Sequence, residues 1–185
     1  MQYVGLLRGI NVGGRRKVGM TELRQFAADI GLKEPRTLLQ SGNLVFGAAK
    51  RSTAGLEKFL EEAARQRLDL RTDVIVRSAE EWEEIVLANP FEDAARRDPS
   101  HLLVMFLKAP ARKGAVEEAA RINSGPEMIH AVGRELYIVF PRGIGTSKFP
   151  SLLGAADLGT RGTGRNWNTV IKLLTALRNG PTADA

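Results

Sequence analysis

Residues 36–46 read RTLLQSGNLVF. Two short apolar runs, Arg36–Gln40 after Pro35 and Leu44–Phe46, flank the tripeptide Ser41-Gly42-Asn43. Gly42 can take a positive φ at little steric cost, so the tripeptide reads as a tight turn and the stretch as a β-hairpin. Upstream, Tyr3–Leu7 is an apolar run ended by Arg8-Gly9 and reads as a buried strand. Leu23, Phe26, Ala27 and Ile30 then recur at helical spacing, with Gly31 as the stop. Downstream, a helix is expected from Ser52 or Thr53. Leu56, Phe59, Leu60 and Ala63 share one of its faces, and Glu61 stands four residues before Arg65 as a supporting pair. Thr72–Arg77 is a β-branched strand. The hairpin therefore lies between two helices and two outer strands. The order β-α-β-β-α-β is the split βαβ arrangement of ferredoxin-like domains.

Beyond it, Ser78-Ala79-Glu80-Glu81 is a capping box for a helix carrying Trp82, Ile85 and Val86, ended by Asn89-Pro90. Phe91–Ser100 is polar and reads as a connector. His101–Leu107, HLLVMFL, is apolar on both faces and is expected as a central strand. A helix around Val116–Ile122 follows, then two strands about the turn Gly133-Arg134. From Pro141 to Arg165 come six glycines and two prolines, which read as a long irregular loop. Trp167, Val170, Ile171, Leu174 and Leu177 mark the apolar face of a last helix. The expected fold class is α+β: two ferredoxin-like (split βαβ) halves with antiparallel or mixed sheets, the second incomplete or ending in a helix. The halves are placed at 1–77 and 101–180, with 78–100 as helix and connector and 181–185 as a frayed tail. No convincing sequence repeat accompanies this duplication.

Composition narrows the function classes. Hydrophobic residues make up 43% of 185, enough for a sizeable core. Lys and Arg total 27 against 21 Asp and Glu, a formal +6. That excess suits a nucleic acid, a phosphorylated ligand or an anionic surface, because cations beside phosphates release counterions. There are no cysteines, which excludes disulfides, thiolate metal sites and cysteine nucleophiles. No apolar run approaches a membrane span, and MQYVGLLRGI does not resemble a signal peptide. A soluble cytoplasmic protein with no membrane partner is expected.

The first candidate site follows from the topology. Residues 5–17, GLLRGINVGGRRK, break from a strand into glycines and cations. In a split βαβ unit the loop after the first strand, the hairpin turn and the approach to the fourth strand meet at one end of the sheet. Arg8, Asn11, Gly13, Gly14, Arg15, Arg16 and Lys17 are thereby expected beside Gln40, Ser41 and Asn43. Glycine amides, cations and neutral donors together suit an anion. The stretch is neither a Walker loop nor a dinucleotide fingerprint. The alternative is a connector whose glycines only make turns. A second cluster, Gly159–Asn166, runs into the last helix with Arg161, Arg165 and Asn166 as candidates, though Asn166 or Thr163 could be a plain N-cap. Trp167 reads as a core anchor. His101 and His130 are too few for a metal site, Glu80, Glu81, Glu83 and Glu84 read as a solvated face, and no nucleophile motif appears. No catalytic residue, metal or cofactor is assigned.

LLRGINVGGRRKVGMTELR, RTLLQSGNLVF and RNWNTVIKLL, in this order, resemble a widespread and mainly bacterial family catalogued as domain-of-unknown-function family 1697. The resemblance runs from Tyr3 to Leu174. Relatives commonly carry Lys or Asn among the loop cations, where Arg15 and Arg16 keep the charge here. They often carry Ser where this chain has Gly19, which weakens the expected N-cap of the first helix. The resemblance implies a soluble α+β protein and no particular activity. The leading expectation is a protein binding a nucleic acid or a phosphorylated small molecule at these loops. The alternatives are an enzyme acting on a phosphorylated metabolite and a structural or oligomeric module without a ligand.

Overall fold

The computed structural model describes residues 1–11 and 17–179. The first half runs β1 (Gln2–Leu7), α1 (Met20–Asp29), β2 (Lys33–Leu38), β3 (Asn43–Gly47), α2 (Thr53–Leu68) and β4 (Val74–Ser78). Its sheet is antiparallel throughout and ordered β2-β3-β1-β4, the split βαβ order read from the sequence. The hairpin forms, with its turn one step wider than expected: Leu39 to Gly42 make the bend, and Leu39 and Gly42 both have positive φ. β2 starts earlier than Arg36, at Lys33, and reaches Arg36 through a register shift in which Glu34 has φ 48°. Apolar residues of β1, β3 and β4 meet Leu23 and Phe26 of α1 and Leu56 and Leu60 of α2 in one core.

Two details of α2 differ from expectation. Phe59 is 36% exposed; it lines a cleft of about 390 Å³ with Leu32, Ala48 and Leu56, and the Arg51 guanidinium lies 6.0 Å from its ring centre. Arg65 pairs with Glu62, at i,i+3. The Glu61 carboxylate accepts the Val74 N–H at 2.8 Å, and Glu57 accepts that of Val76 at 3.0 Å. Helix α2 thus covers the outer edge of β4 with carboxylates, satisfying amides that an edge strand otherwise leaves bare.

The remaining elements are α3 (Ala79–Leu87), α4 (Glu92–Arg97), β5 (Leu102–Leu107), α5 (Ala115–Ile122), β6 (Met128–Val132), β7 (Glu135–Val139), α6 (Phe149–Ala155), β8 (Gly162–Asn166) and α7 (Trp167–Arg178). The capping box is present, with the Ser78 N–H donating to Glu81 and the Glu81 N–H to Ser78 Oγ. β5 is central, as expected, in an antiparallel sheet ordered β6-β7-β5-β8. The second half is therefore a complete β-α-β-β-α-β unit followed by a helix. Its core joins Leu107, Leu136 and Ile138 to Ala119 of α5 and Phe149 and Leu153 of α6.

Three stretches correct the sequence reading. The polar connector contains α4. The glycine-rich loop 141–165 contains α6 and the first four residues of β8. On α7, Leu173 is buried and Ile171 is 37% exposed, so the apolar face is rotated from the expected one. The chain divides into two compact units, Met1–Glu84 with Lys172–Ala185, and Ile85–Ile171. The division falls inside α3 and inside α7. Residues 181–185 lie outside the described residues.

Candidate functional site

At the C-terminal end of β1 the two described flanks of the opening loop, residues 7–11 and 17–18, meet the hairpin turn. The Leu7 N–H donates to Gly42 O at 2.9 Å. Asn11, held at φ 57°, then ties the loop shut. Its Nδ2 donates to Val18 O at 3.0 Å and to Gln40 O at 2.9 Å, and its Oδ1 accepts the Val18 N–H at 2.9 Å. One side chain so joins both ends of the loop to the hairpin. The approach to β4 arrives at the same place: the Arg8 N–H donates to Asp73 O, and Thr72 Oγ1 donates to Arg8 O.

The candidate residues divide by what occupies them. Gln40, Ser41 and Lys17 are exposed, as is Arg71, which precedes Thr72 in the chain. Arg8 is exposed too, with its guanidinium 3.4 Å from the Asp73 carboxylate. Asn43 is fully buried, and its amide donates to Leu38 O and Ser41 Oγ, so it shapes the turn. Gly13, Gly14, Arg15 and Arg16 lie outside the described residues. Gly19 caps α1 without a side-chain hydrogen bond, though its N–H donates to Glu22 at 3.4 Å.

The second cluster is a strand where a loop was expected. Gly162 and Gly164 let β8 pack tightly on β5: a Cβ on Gly162 would meet Phe106 O at 2.7 Å, and one on Gly164 would meet Leu103 at 3.1 Å. Arg161 is exposed, with its carbonyl accepting the Lys108 N–H. Arg165 is only 7% exposed; its Nη1 donates to Thr163 Oγ1 and Gly164 O, and burial lowers its pKa to about 10. Asn166 is the N-cap of α7, accepting the Thr169 N–H at 3.0 Å. Arg77 occupies the same place in the first half. It pairs with Val4 of β1 as Arg165 pairs with Val104 of β5, and each arginine directly precedes a capping residue. Arg77 Nη1 donates to Val76 O and lies 3.9 Å from the Glu57 carboxylate.

Two groupings escaped the sequence reading because their members are far apart in the chain or individually ordinary. A cleft of about 320 Å³ is lined by Asn123, Glu127, Arg142, Ser147 and Lys148 over Phe149. There the Ser147 hydroxyl donates to Glu127 at 2.5 Å and holds that carboxyl below its usual pKa. At the start of β5, His101 Nδ1 lies 2.6 Å from Asp98, which also accepts the Ser100 hydroxyl. Among the described residues no group of three or more His, Asp or Glu side chains could hold a metal ion. Among them, too, no helix is long and apolar enough to cross a membrane.

The family model described as "Protein of unknown function (DUF1697)" matches residues 1–137. The chain belongs to the DUF1697 family. The match takes in the whole opening loop, the hairpin and the sheet end they share, and stops before RNWNTVIKLL. No curated protein sequence matches this DUF1697 chain. Among solved structures it is similar to the conserved bacterial protein SP0830 from Streptococcus pneumoniae, at 23% identity and a TM-score of 0.72. The likeness covers 96% of this chain and 98% of that one, and it shows a shared fold.

Proposed function

We propose that the chain binds a phosphate-bearing ligand, with nucleic acid as the leading class, at the sheet end where the opening loop meets the hairpin. The observation that carries this reading is the Asn11 side chain, which fastens both ends of a cation-bearing loop to the turn at Gln40. Residues 8–17 hold four cations, Arg8, Arg15, Arg16 and Lys17, and no carboxylate. Anchoring such a loop lowers the ordering cost of ligand binding. The exposed Arg71 adds charge nearby in the chain's path, and the formal +6 of the whole chain favours polyanions over cations.

The test is fluorescence anisotropy of labelled single-stranded and duplex oligonucleotides at low and moderate salt. Binding is expected to weaken steeply with salt and to show little sequence preference. Replacing Arg15, Arg16 and Lys17 together by Ala should reduce the slope of log K against log salt by about 2–3. Undetectable binding at about 50 mM salt, where phosphate attraction is still strong, overturns the reading. A second reading, a small phosphorylated metabolite in the second half, draws on the cleft with Arg142 and Lys148. Calorimetry with inorganic phosphate and sugar phosphates separates the two, because Arg142→Ala should abolish only the second.

A further inference from the structure

Strand β6 leaves one backbone edge open. It is the outermost strand of its sheet, paired with β7 from Met128↔Val139 to Val132↔Glu135. The two-residue turn Gly133-Arg134 makes Val132 and Glu135 a hydrogen-bonded pair. Alternation along the ladder then turns the N–H and C=O of Ile129 and Ala131 away from β7. Among the described residues, nothing hydrogen-bonds to those four groups.

The other half guards the same position. Strand β2 carries Lys33, Pro35 and a register shift, and its Arg36 donates to Ala176 O. Those are the usual ways of blunting an edge. Strand β6 reads MIHAV, with no proline, no register shift, no lysine and no carboxylate. Met128 is 49% exposed on it. A flat uncharged edge of this kind is a template for another strand.

We propose that β6 pairs antiparallel with β6 of a second copy of this chain, about a two-fold axis at His130. A two-fold axis normal to the sheet keeps every residue on its own face, so it must pass at a residue. Only the axis at His130 overlaps all five residues of both strands. Ile129 then faces Ala131 of the second copy, and the open groups of both residues form four hydrogen bonds. Met128 faces Val132 on the opposite side of the sheet. Glu127, an ionised carboxylate, falls beside the Gly133-Arg134 turn of the second copy, which supplies opposite charge. One strand thus provides both sides of a self-complementary contact, as a two-fold interface requires. Its small size places the dimer among weak, concentration-dependent assemblies.

The chain contains no cysteine, so a single introduced thiol reports the register directly. Across the axis, residue 130 faces its own copy as a non-hydrogen-bonded pair, with Cα atoms about 4.5 Å apart. That separation lies within disulfide reach. Under glutathione disulfide, which accepts the two electrons and two protons of the thiols, His130→Cys should form a covalent dimer. Ala131→Cys, which faces residue 129, should not. Sedimentation velocity from about 1 μM to 1 mM should show the wild-type chain moving from monomer to dimer. His130→Lys sets like charges directly opposite on an exposed position and should raise the dimer Kd at least tenfold, by about 1.4 kcal/mol. A wild-type chain that stays monomeric throughout overturns the proposal, whether or not it captures an extended peptide. So does a dimer that cross-links through residue 131 in preference to 130, or one that His130→Lys leaves unchanged.

Discussion

Gly42 shows how little freedom the sheet end has. Its φ is +75°, and a Cβ there would sit 2.7 Å from Ile10 Cδ1 and 3.1 Å from Leu7 Cβ. Gly42→Ala combines a left-handed backbone penalty with overpacking and should cost about 2–3 kcal/mol in chemical denaturation. Loss of oligonucleotide binding in the still-folded variant would tie turn and loop together functionally. Tyr137 contributes to the alkaline side of the stability profile. It is buried, its hydroxyl donates to Ile85 O at 2.6 Å, and burial with Glu135 nearby pushes the phenol well above its ordinary value of 10.0. The folded state therefore keeps a proton that the unfolded state loses, and stability contributed below pH about 10 falls as pH rises beyond it. Arg165 acts oppositely: with its pKa lowered to about 10, folding is relieved of a buried charge as pH climbs towards the ordinary arginine range. Tyr137→Phe should leave a shallower alkaline decline, read from denaturation midpoints at a series of pH values between about 9 and 11.

At the scale of elements, what could be read in advance depended on whether an element carries its own signal. The hairpin, the capping box at Ser78 and the apolar strand β5 each combine a pattern with a stop, and each is where it was expected. Strand β8 does the reverse. GTGRN has two glycines and no apolar side chain, so by propensity it is a loop. It becomes a strand because β5 leaves no room for side chains at Gly162 and Gly164, a reason that exists only once the partner strand is in place. Helix α4 is six residues of mostly charged sequence with too short a run to show periodicity. The same limit affects the candidate site. Convergence of loop and turn followed from strand order, whereas the burial of Asn43 and Arg165 depended on packing that no local pattern carries. From the sequence Arg165 reads as a candidate anion ligand in a loop. Buried in β8, its replacement by Ala should cost about 1–3 kcal/mol through the hydrogen bonds left open at Thr163 and Gly164. Trp167→Ala, at the first residue of α7 and on its buried face, should cost about 3–5 kcal/mol. Equal midpoints for Arg165→Ala and the parent in urea would show that the guanidinium is dispensable to the sheet.

Over the whole molecule, two units of the same strand order carry a buried arginine at the same register, although their sequences show no plain repeat. The unit built on the first sheet draws on both ends of the chain: Arg36 donates to Ala176 O, and Arg178 pairs with Glu83 at 3.0 Å. Deleting residues 172–185 removes no residue of that sheet, yet it should expose β2 and speed amide hydrogen exchange across it by tenfold or more, an effect of about 1.4 kcal/mol. Unchanged exchange in β2 would show that the returning helix is an ornament. The same return imposes an order on synthesis. Strands β1 to β4 leave the ribosome before the second unit does, yet the unit they belong to is completed only when α7 follows, and the second unit must be translated in between. At roughly 5–20 residues per second that interval is on the order of 10 s. Through it the nascent first sheet has Arg36 without its carbonyl acceptor and β2 without its cover, so the newborn chain, rather than the mature one, is the form most in need of a chaperone.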